Sequence, residues 1–206
     1  MTLRDVSKSF GDKTIYTDLS LELGDEVTAV LGRSGCGKTT LLNLIAGILA
    51  PDGGRIEGQG RVSYVFQSPR LLPHLTALGN LLYAGIDRTA ALDALAACGV
   101  AENLYPRELS GGMAQRVGLA RAFAVPADTV LMDEPFKSLD LGLKHRLLAL
   151  TRELFSDRRV ILVTHDVAEA EFLADRAIIL DGGCIVYDAP KSDGRFIGLT
   201  EKLCSL

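Results

Sequence analysis

The sequence predicts an α/β fold with a mainly parallel sheet, an antiparallel N-terminal β subdomain and an inserted helical subdomain. Three observations carry that prediction. Five short apolar runs, Val27 to Leu31, Val62 to Phe66, Thr129 to Asp133, Val160 to Thr164 and Ala177 to Leu180, read as buried strands. Helical patterns separate most of them, which favours a parallel sheet with helices on both faces. The segment 68–109 breaks this rhythm, with no strand pattern and an Ala/Leu-rich helical stretch from Thr89 to Cys98.

Taken in chain order, Leu3 to Ser9 and Lys13 to Leu21 flank the turn residues Phe10-Gly11-Asp12 and read as an antiparallel hairpin at one edge of the sheet. Val27 to Leu31 is the first buried strand, and Thr40 to Leu49 follows it with apolar residues at helical spacing. The inserted subdomain is expected to span about 68–120. Helices are expected over Ser110 to Ala124, Leu141 to Phe155 and Asp166 to Ala174. No repeat, linker or low-complexity tract divides the chain, so 1–206 is expected to be a single domain.

Between the first strand and its helix lies Gly32-Arg33-Ser34-Gly35-Cys36-Gly37-Lys38-Thr39, which fits G-x-x-x-x-G-K-[ST] at every fixed position. Backbone N–H groups that turn inward onto a polyphosphate need glycine, because a Cβ blocks close approach. Lys38 supplies a point charge for the terminal phosphates and Thr39 a hydroxyl for Mg²⁺, while the helix start adds its positive dipole. A chance match is expected on the order of one time in a hundred chains of this length. The loop therefore implies a nucleotide ligand, with 32–40 as its binding residues, Thr40 included.

Thr129-Val130-Leu131-Met132-Asp133-Glu134-Pro135 is an apolar strand ending in two carboxylates. Ligands of parallel sheets bind at the carboxyl ends of strands, where this pair falls. Strand alternation is expected to point the two side chains apart, Asp133 towards a metal and Glu134 towards an attacking water. Taken alone, the same residues also fit an acidic helix start at Pro135.

Composition sets outer bounds. With 206 residues, 48% hydrophobic and 23% charged, the chain can bury one substantial core. A formal net charge of −4 gives no global footprint for nucleic acid, and none is expected as a partner. Cys36, Cys98, Cys184 and Cys204 show no C-x-x-C spacing, which disfavours zinc ligation and a disulfide framework. No apolar stretch approaches the ~18 residues needed to span a bilayer, and no signal-peptide pattern opens the sequence. Membrane work is then expected only through a partner.

Leu109-Ser110-Gly111-Gly112-Met113-Ala114-Gln115-Arg116 strongly resembles the signature motif of ATP-binding-cassette ATPases. Chemically it is a second phosphate site: a hydroxyl, two N–H groups free of side chains, and a helix dipole. The resemblance implies ATP and Mg²⁺ as cofactors and a second ATPase protomer, whose Ser110, Gly111 and Gly112 cover the ATP held by the first. By the same resemblance Gln67 touches Mg²⁺ and the water, and Ser138-Leu139-Asp140 is a dimer-contact loop. His165 contacts the γ-phosphate and Phe10 stacks on adenine. Thr39, Gln67 and Asp133 are the implied metal residues; Glu134, His165, Gln67 and Lys38 are the implied catalytic ones.

The motifs look most like those of bacterial importers of nitrate, sulfonate or taurine type. That likeness implies transmembrane permease subunits, a solute-binding protein and a peripheral position on the cytoplasmic face of the membrane. Met113 and Lys137 depart from the commonest residues of the family, and both 51–65 and the helical insertion are short for it. Two other classes fit less well: a cassette ATPase acting on nucleic acid or ribosomes, and a P-loop regulatory protein. Neither paired cassettes nor sustained heptads are present to favour the first. For the second, the signature match would have to be incidental.

Overall fold

A computed structural model describes residues 1–137, 139–155, 158–191 and 203. Two sheets share the strands. The larger is six-stranded with order β5-β6-β7-β3-β8-β9, formed by Val62–Val65, Thr129–Asp133, Arg159–Val163, Val27–Gly32, Arg176–Asp181 and Cys184–Pro190. All neighbours pair in parallel except β8 with β9, which are antiparallel.

The expected antiparallel hairpin forms as part of an N-terminal β subdomain, but it lies in a separate sheet and not at the edge of the larger one. β1 (Thr2–Phe10) pairs with β2 (Lys13–Glu22) on one side and with β4 (Gly53–Glu57) on the other, in a separate antiparallel sheet. Asp52 ties β4 to β1: its carboxylate takes the Lys8 ammonium at 2.7 Å and the Ser9 N–H at 2.7 Å. Those bonds, led by the Lys8 one, hold the Asp52 pKa below the ordinary carboxylate range.

Alternation along the central strands sorts two cores. Val27, Ala29 and Leu31 face one side and pack with residues of α2 (Ala77–Tyr83), α3 (Arg88–Ala97), α4 (Gly111–Ala124), α5 (Leu141–Leu154) and α6 (Val167–Leu173). Val30, Ile161, Val163 and Ile178 face the other side, against α1 (Lys38–Ile45) and the apolar face of the small sheet, including Leu3, Val6 and Tyr16. Helices therefore cover one face, while α1 and the small sheet share the other. The expectation of helices on both faces holds, and β1, β2 and β4 join α1 on one of them because they need the same apolar partner to bury their own residues.

α2 and α3 form the bulk of the inserted helical segment, and α3 and α2 pack on α4. Thr76 and Asp87 cap α2 and α3 by accepting from Gly79 and Ala90 N–H groups. Among the described residues, no helix is long and apolar enough to cross a membrane.

Candidate functional site

The carboxyl ends of β3, β5, β6 and β7 lie side by side, and the residues that leave them build one open cleft of about 560 Å³. Its lining includes Phe10, the loop residues Gly32, Ser34, Gly35, Gly37, Lys38, Thr39 and Thr40, then Gln67, Asp133, Glu134 and His165. Strand termini far apart in sequence thus deliver most of the expected residues to one place.

The loop is held from behind. Gly37, with φ of 109°, is the N-cap of α1, and a Cβ there would lie 2.7 Å from the Tyr16 hydroxyl and 2.8 Å from Ile15 Cγ2. Tyr16 donates to the Gly37 carbonyl at 2.9 Å, so the small sheet fixes the loop. At Gly32, φ is 144° and a Cβ would strike the Leu180 carbonyl, which closes the loop against β8. Lys38 is buried at 9% exposure, and its ammonium donates to the carbonyls of Gly32 at 2.7 Å and Arg33 at 2.8 Å. The loop itself thus holds the cation at its centre.

Thr39 Oγ1 donates to Asp133 Oδ2 at 2.7 Å, joining the start of α1 to the end of β6 across β7. Burial pushes the Asp133 pKa up and the charge of Glu134 adds to it; the Thr39 bond, Lys38 and Lys137 oppose it. Glu134 lies just beyond β6 with φ of 51°, a left-handed position unusual for a side chain of this size. Its divergence from Asp133 is therefore made by a tight turn, where strand alternation was expected, and no helix starts there. Glu134 Oε2 sits 2.6 Å from His165 Nδ1, with Glu134 only 13% exposed and His165 66% exposed.

Gln67 is exposed just after β5, at the mouth of the cleft. Behind it, buried Gln115 of α4 donates to the Phe66 carbonyl at 3.4 Å, and Arg121 to the Arg70 carbonyl at 3.2 Å. Phe10 is 48% exposed with Lys8 Nζ 5.5 Å from its ring. Arg33 and Cys36 do not line the cleft: Arg33 is exposed and Cys36 is half-buried.

Ser110, Gly111 and Gly112 do not line it either. They form the start of α4, where the Ser110 hydroxyl accepts the Met113 N–H at 3.2 Å as an ordinary cap. The expected dimer-contact loop is described only at Leu139 and Asp140; Ser138 lies outside the described residues. Asp140 caps α5 by accepting from Leu143 N–H at 3.0 Å. Motif reasoning missed Tyr16, Lys13 and Ile15, which border the loop from β2, and the Lys144, Thr164 and Glu169 cluster behind His165. Tyr16 was legible only as a large residue in a strand.

A phosphate loop with its lysine and hydroxyl, facing a carboxylate pair at the end of a parallel strand, defines a P-loop nucleoside triphosphatase. More particularly, the family described as ABC transporter matches residues 16–137, and the chain belongs to that family. It is an ATP-binding ATPase cassette.

Similar proteins include the aliphatic sulfonates import ATP-binding protein SsuB 3 of Rhodococcus jostii, 43% identical over 91% of this chain and 74% of that protein. SsuB 1 of Nocardia farcinica is 42% identical over 91% of this chain and 80% of its own. Among solved structures, a bacterial ABC transporter cassette described as dimeric superposes with a TM-score of 0.83 at 28% identity, covering 92% of this chain and 97% of that one. A post-hydrolysis structure of an ATP-binding cassette with ADP and Pi gives 0.82 at 28% identity, with the same coverage.

Proposed function

We propose that this chain is the ATP-hydrolysing subunit of a bacterial ABC importer for aliphatic sulfonates or similar small anions, working as a pair of protomers beneath permease subunits. The sulfonate importers to which it is similar support the solute class. Docking on a permease places it peripherally on the cytoplasmic face, and a solute-binding protein delivers cargo outside. Gln67 and the adjoining 71–75 segment are the surface that passes motion to the permease.

In this reading the loop N–H groups and Lys38 bind the phosphates, and Phe10 stacks on the adenine. Thr39 and Asp133, two hard oxygen donors in hydrogen-bond contact, suit Mg²⁺, with Gln67 at the same mouth. Mg²⁺, when bound, neutralises phosphate charge. Glu134 orients and deprotonates the attacking water, and His165 fixes that carboxylate and reaches the terminal phosphate.

The observation that carries the paired reading is the placement of Ser110. Its chemistry suits phosphate, yet it lies outside the cleft that holds Lys38, so a second chain must bring its own Ser110 to complete the site. The test is sizing of Glu134→Gln chain with saturating ATP. A dimer that reverts to monomer when ATP is removed is expected; a monomer throughout would overturn the paired site.

A further inference from the structure

Behind the cleft, Lys144, Thr164, Asp166 and Glu169 line a second hollow together with Glu134 and His165, and Asp140 caps α5. Lys144 lies one helical turn on, and its ammonium sits 2.6 Å from Asp166 Oδ2 and 2.6 Å from Glu169 Oε1. Glu169 is 4% exposed and accepts the Thr164 hydroxyl at 2.5 Å on its other oxygen. Thr164 Oγ1 in turn accepts the Asp166 N–H at 3.0 Å. Thr164 and Asp166 flank His165 on both sides.

This matters because the His165 ring is mostly exposed, with Glu134 Oε2 2.6 Å from its Nδ1, so little packing holds it. Its place is set by the backbone of 164–166, and that backbone hangs on Lys144. Asp166 and Glu169 stand three residues apart at the start of α6, where their like charges repel without a cation between them. Burial opposes the Lys144 charge, but the bonds to Asp166 and Glu169 outweigh it and raise the lysine pKa. Burial likewise opposes the Asp166 charge, while Lys144 and the Ala168 N–H hold the carboxyl below its usual range.

We propose that Lys144 is a positioning residue for hydrolysis, holding the 164–166 turn so that His165 Nδ1 meets Glu134 Oε2. Through it, any shift of α5 is passed to the reacting carboxylate. This inference rests on the hydrolytic role proposed for Glu134 and His165, and its test includes a readout that does not.

Because the chain has 3 histidines, His74, His145 and His165, the ring signals can be assigned by nuclear magnetic resonance using His165→Ala. Lys144→Met keeps the aliphatic stem and removes the charge; it is expected to move the His165 ring signals to those seen in Glu134→Gln. The kcat for ATP falls about tenfold or more while ATP affinity stays within about threefold. Lys144→Arg, able to bridge both carboxylates, keeps the signals and most of kcat. In a His165→Ala background, Lys144→Met adds no further loss, because both act on one step. Unmoved ring signals in a folded Lys144→Met chain, or losses that multiply in the double variant, would overturn the proposal. Should Lys144→Met fail to fold, Glu169→Gln carries the same test. Moved signals with unchanged kcat would leave the linkage standing and overturn the hydrolytic role of His165 instead.

Discussion

Glu134 and His165 meet at 2.6 Å between Oε2 and Nδ1, one from the turn after β6 and the other from the turn after β7. Neither residue touches the loop through the bonds described, so on the proposed roles binding and hydrolysis are separable in this cleft. Replacing His165 by Ala removes the group proposed to fix the carboxylate and leaves Lys38 and the glycines in place. Turnover is expected to fall on the order of 100-fold, the ordinary share of a positioned acid–base group, with ATP affinity changed less than about threefold. Steady-state hydrolysis and equilibrium binding of ATP check it; turnover within about twofold of the parent would remove His165 from the mechanism.

Asp133 gives a stability prediction with a defined sign. Its carboxyl is desolvated and faces Glu134, and its folded pKa lies above the unfolded value. Between those two values the folded chain binds more protons than the unfolded chain, so stability falls as pH rises through the window and stays penalised above it. Asp133→Asn keeps an oxygen to accept from Thr39 and removes the charge. Without nucleotide or Mg²⁺ this variant is expected to melt about 2–4 °C above the parent at neutral pH, roughly a 1 kcal/mol gain for a chain of this size. The gap should close as pH drops below the folded pKa. Paired melting curves from neutral to mildly acidic pH test this, and a gap independent of pH would exclude Asp133 as its origin.

Asn80 is the polar residue on which the segment beside Gln67 hangs. It is 3% exposed, accepts the Leu72 N–H at 2.7 Å, and its amide lies 3.3 Å from the Leu72 carbonyl, 3.2 Å from that of Leu75 and 2.9 Å from that of Thr76. Asn80→Ala leaves those backbone groups without a partner, at a cost of about 2–3 kcal/mol. The melting temperature of the chain is expected to drop by about 4–12 °C. ATP affinity should survive, since no loop residue is touched. Melting curves and ATP titration separate the two effects, and loss of ATP binding in a folded variant would contradict the assignment.

The parts of this site that sequence revealed are those written by local spacing. Gly32 to Thr39 needs only its own turn and helix, and Asp133-Glu134 needs only a strand end. The parts it concealed depend on partners far along the chain. β4 carries a single apolar residue, Ile56, in a run of glycines and charges, and becomes a strand because Leu3 and Thr2 pair with it. β9 is an edge strand whose short run Cys184 to Tyr187 gives way at once to Asp188 and Pro190, and most of its positions are exposed or half-buried, so it lacks the buried character of a central strand. The Tyr16 bond to Gly37 and the Lys144 bonds to Asp166 and Glu169 join residues 21 and more apart. Glu134's left-handed turn was hidden for a different reason. Nothing in Asp-Glu-Pro marks a positive φ, and the surrounding structure imposes it.

Cys36 offers a chemical check on where the phosphates lie. Its thiol is half-buried in the loop, with Sγ 3.8 Å from the Lys38 ammonium. A maleimide adduct there would crowd the lysine and the N–H groups that face the cleft, and bound ATP would in turn shield the thiol. Cys98 serves as an internal blank, because it is buried and desolvation pushes its pKa up to about 12, so little thiolate forms at neutral pH. Cys184 is exposed and serves as the unprotected control. In a Cys204→Ser background, N-ethylmaleimide is expected to label Cys36 and Cys184 but not Cys98, and to abolish ATP binding. Saturating ATP should slow labelling of Cys36 by about tenfold or more, following occupancy of the site, and leave Cys184 unchanged. Peptide mass spectrometry over a labelling time course reads each thiol separately. Equal rates at Cys36 with and without ATP would mean that the thiol lies outside the ground the nucleotide covers.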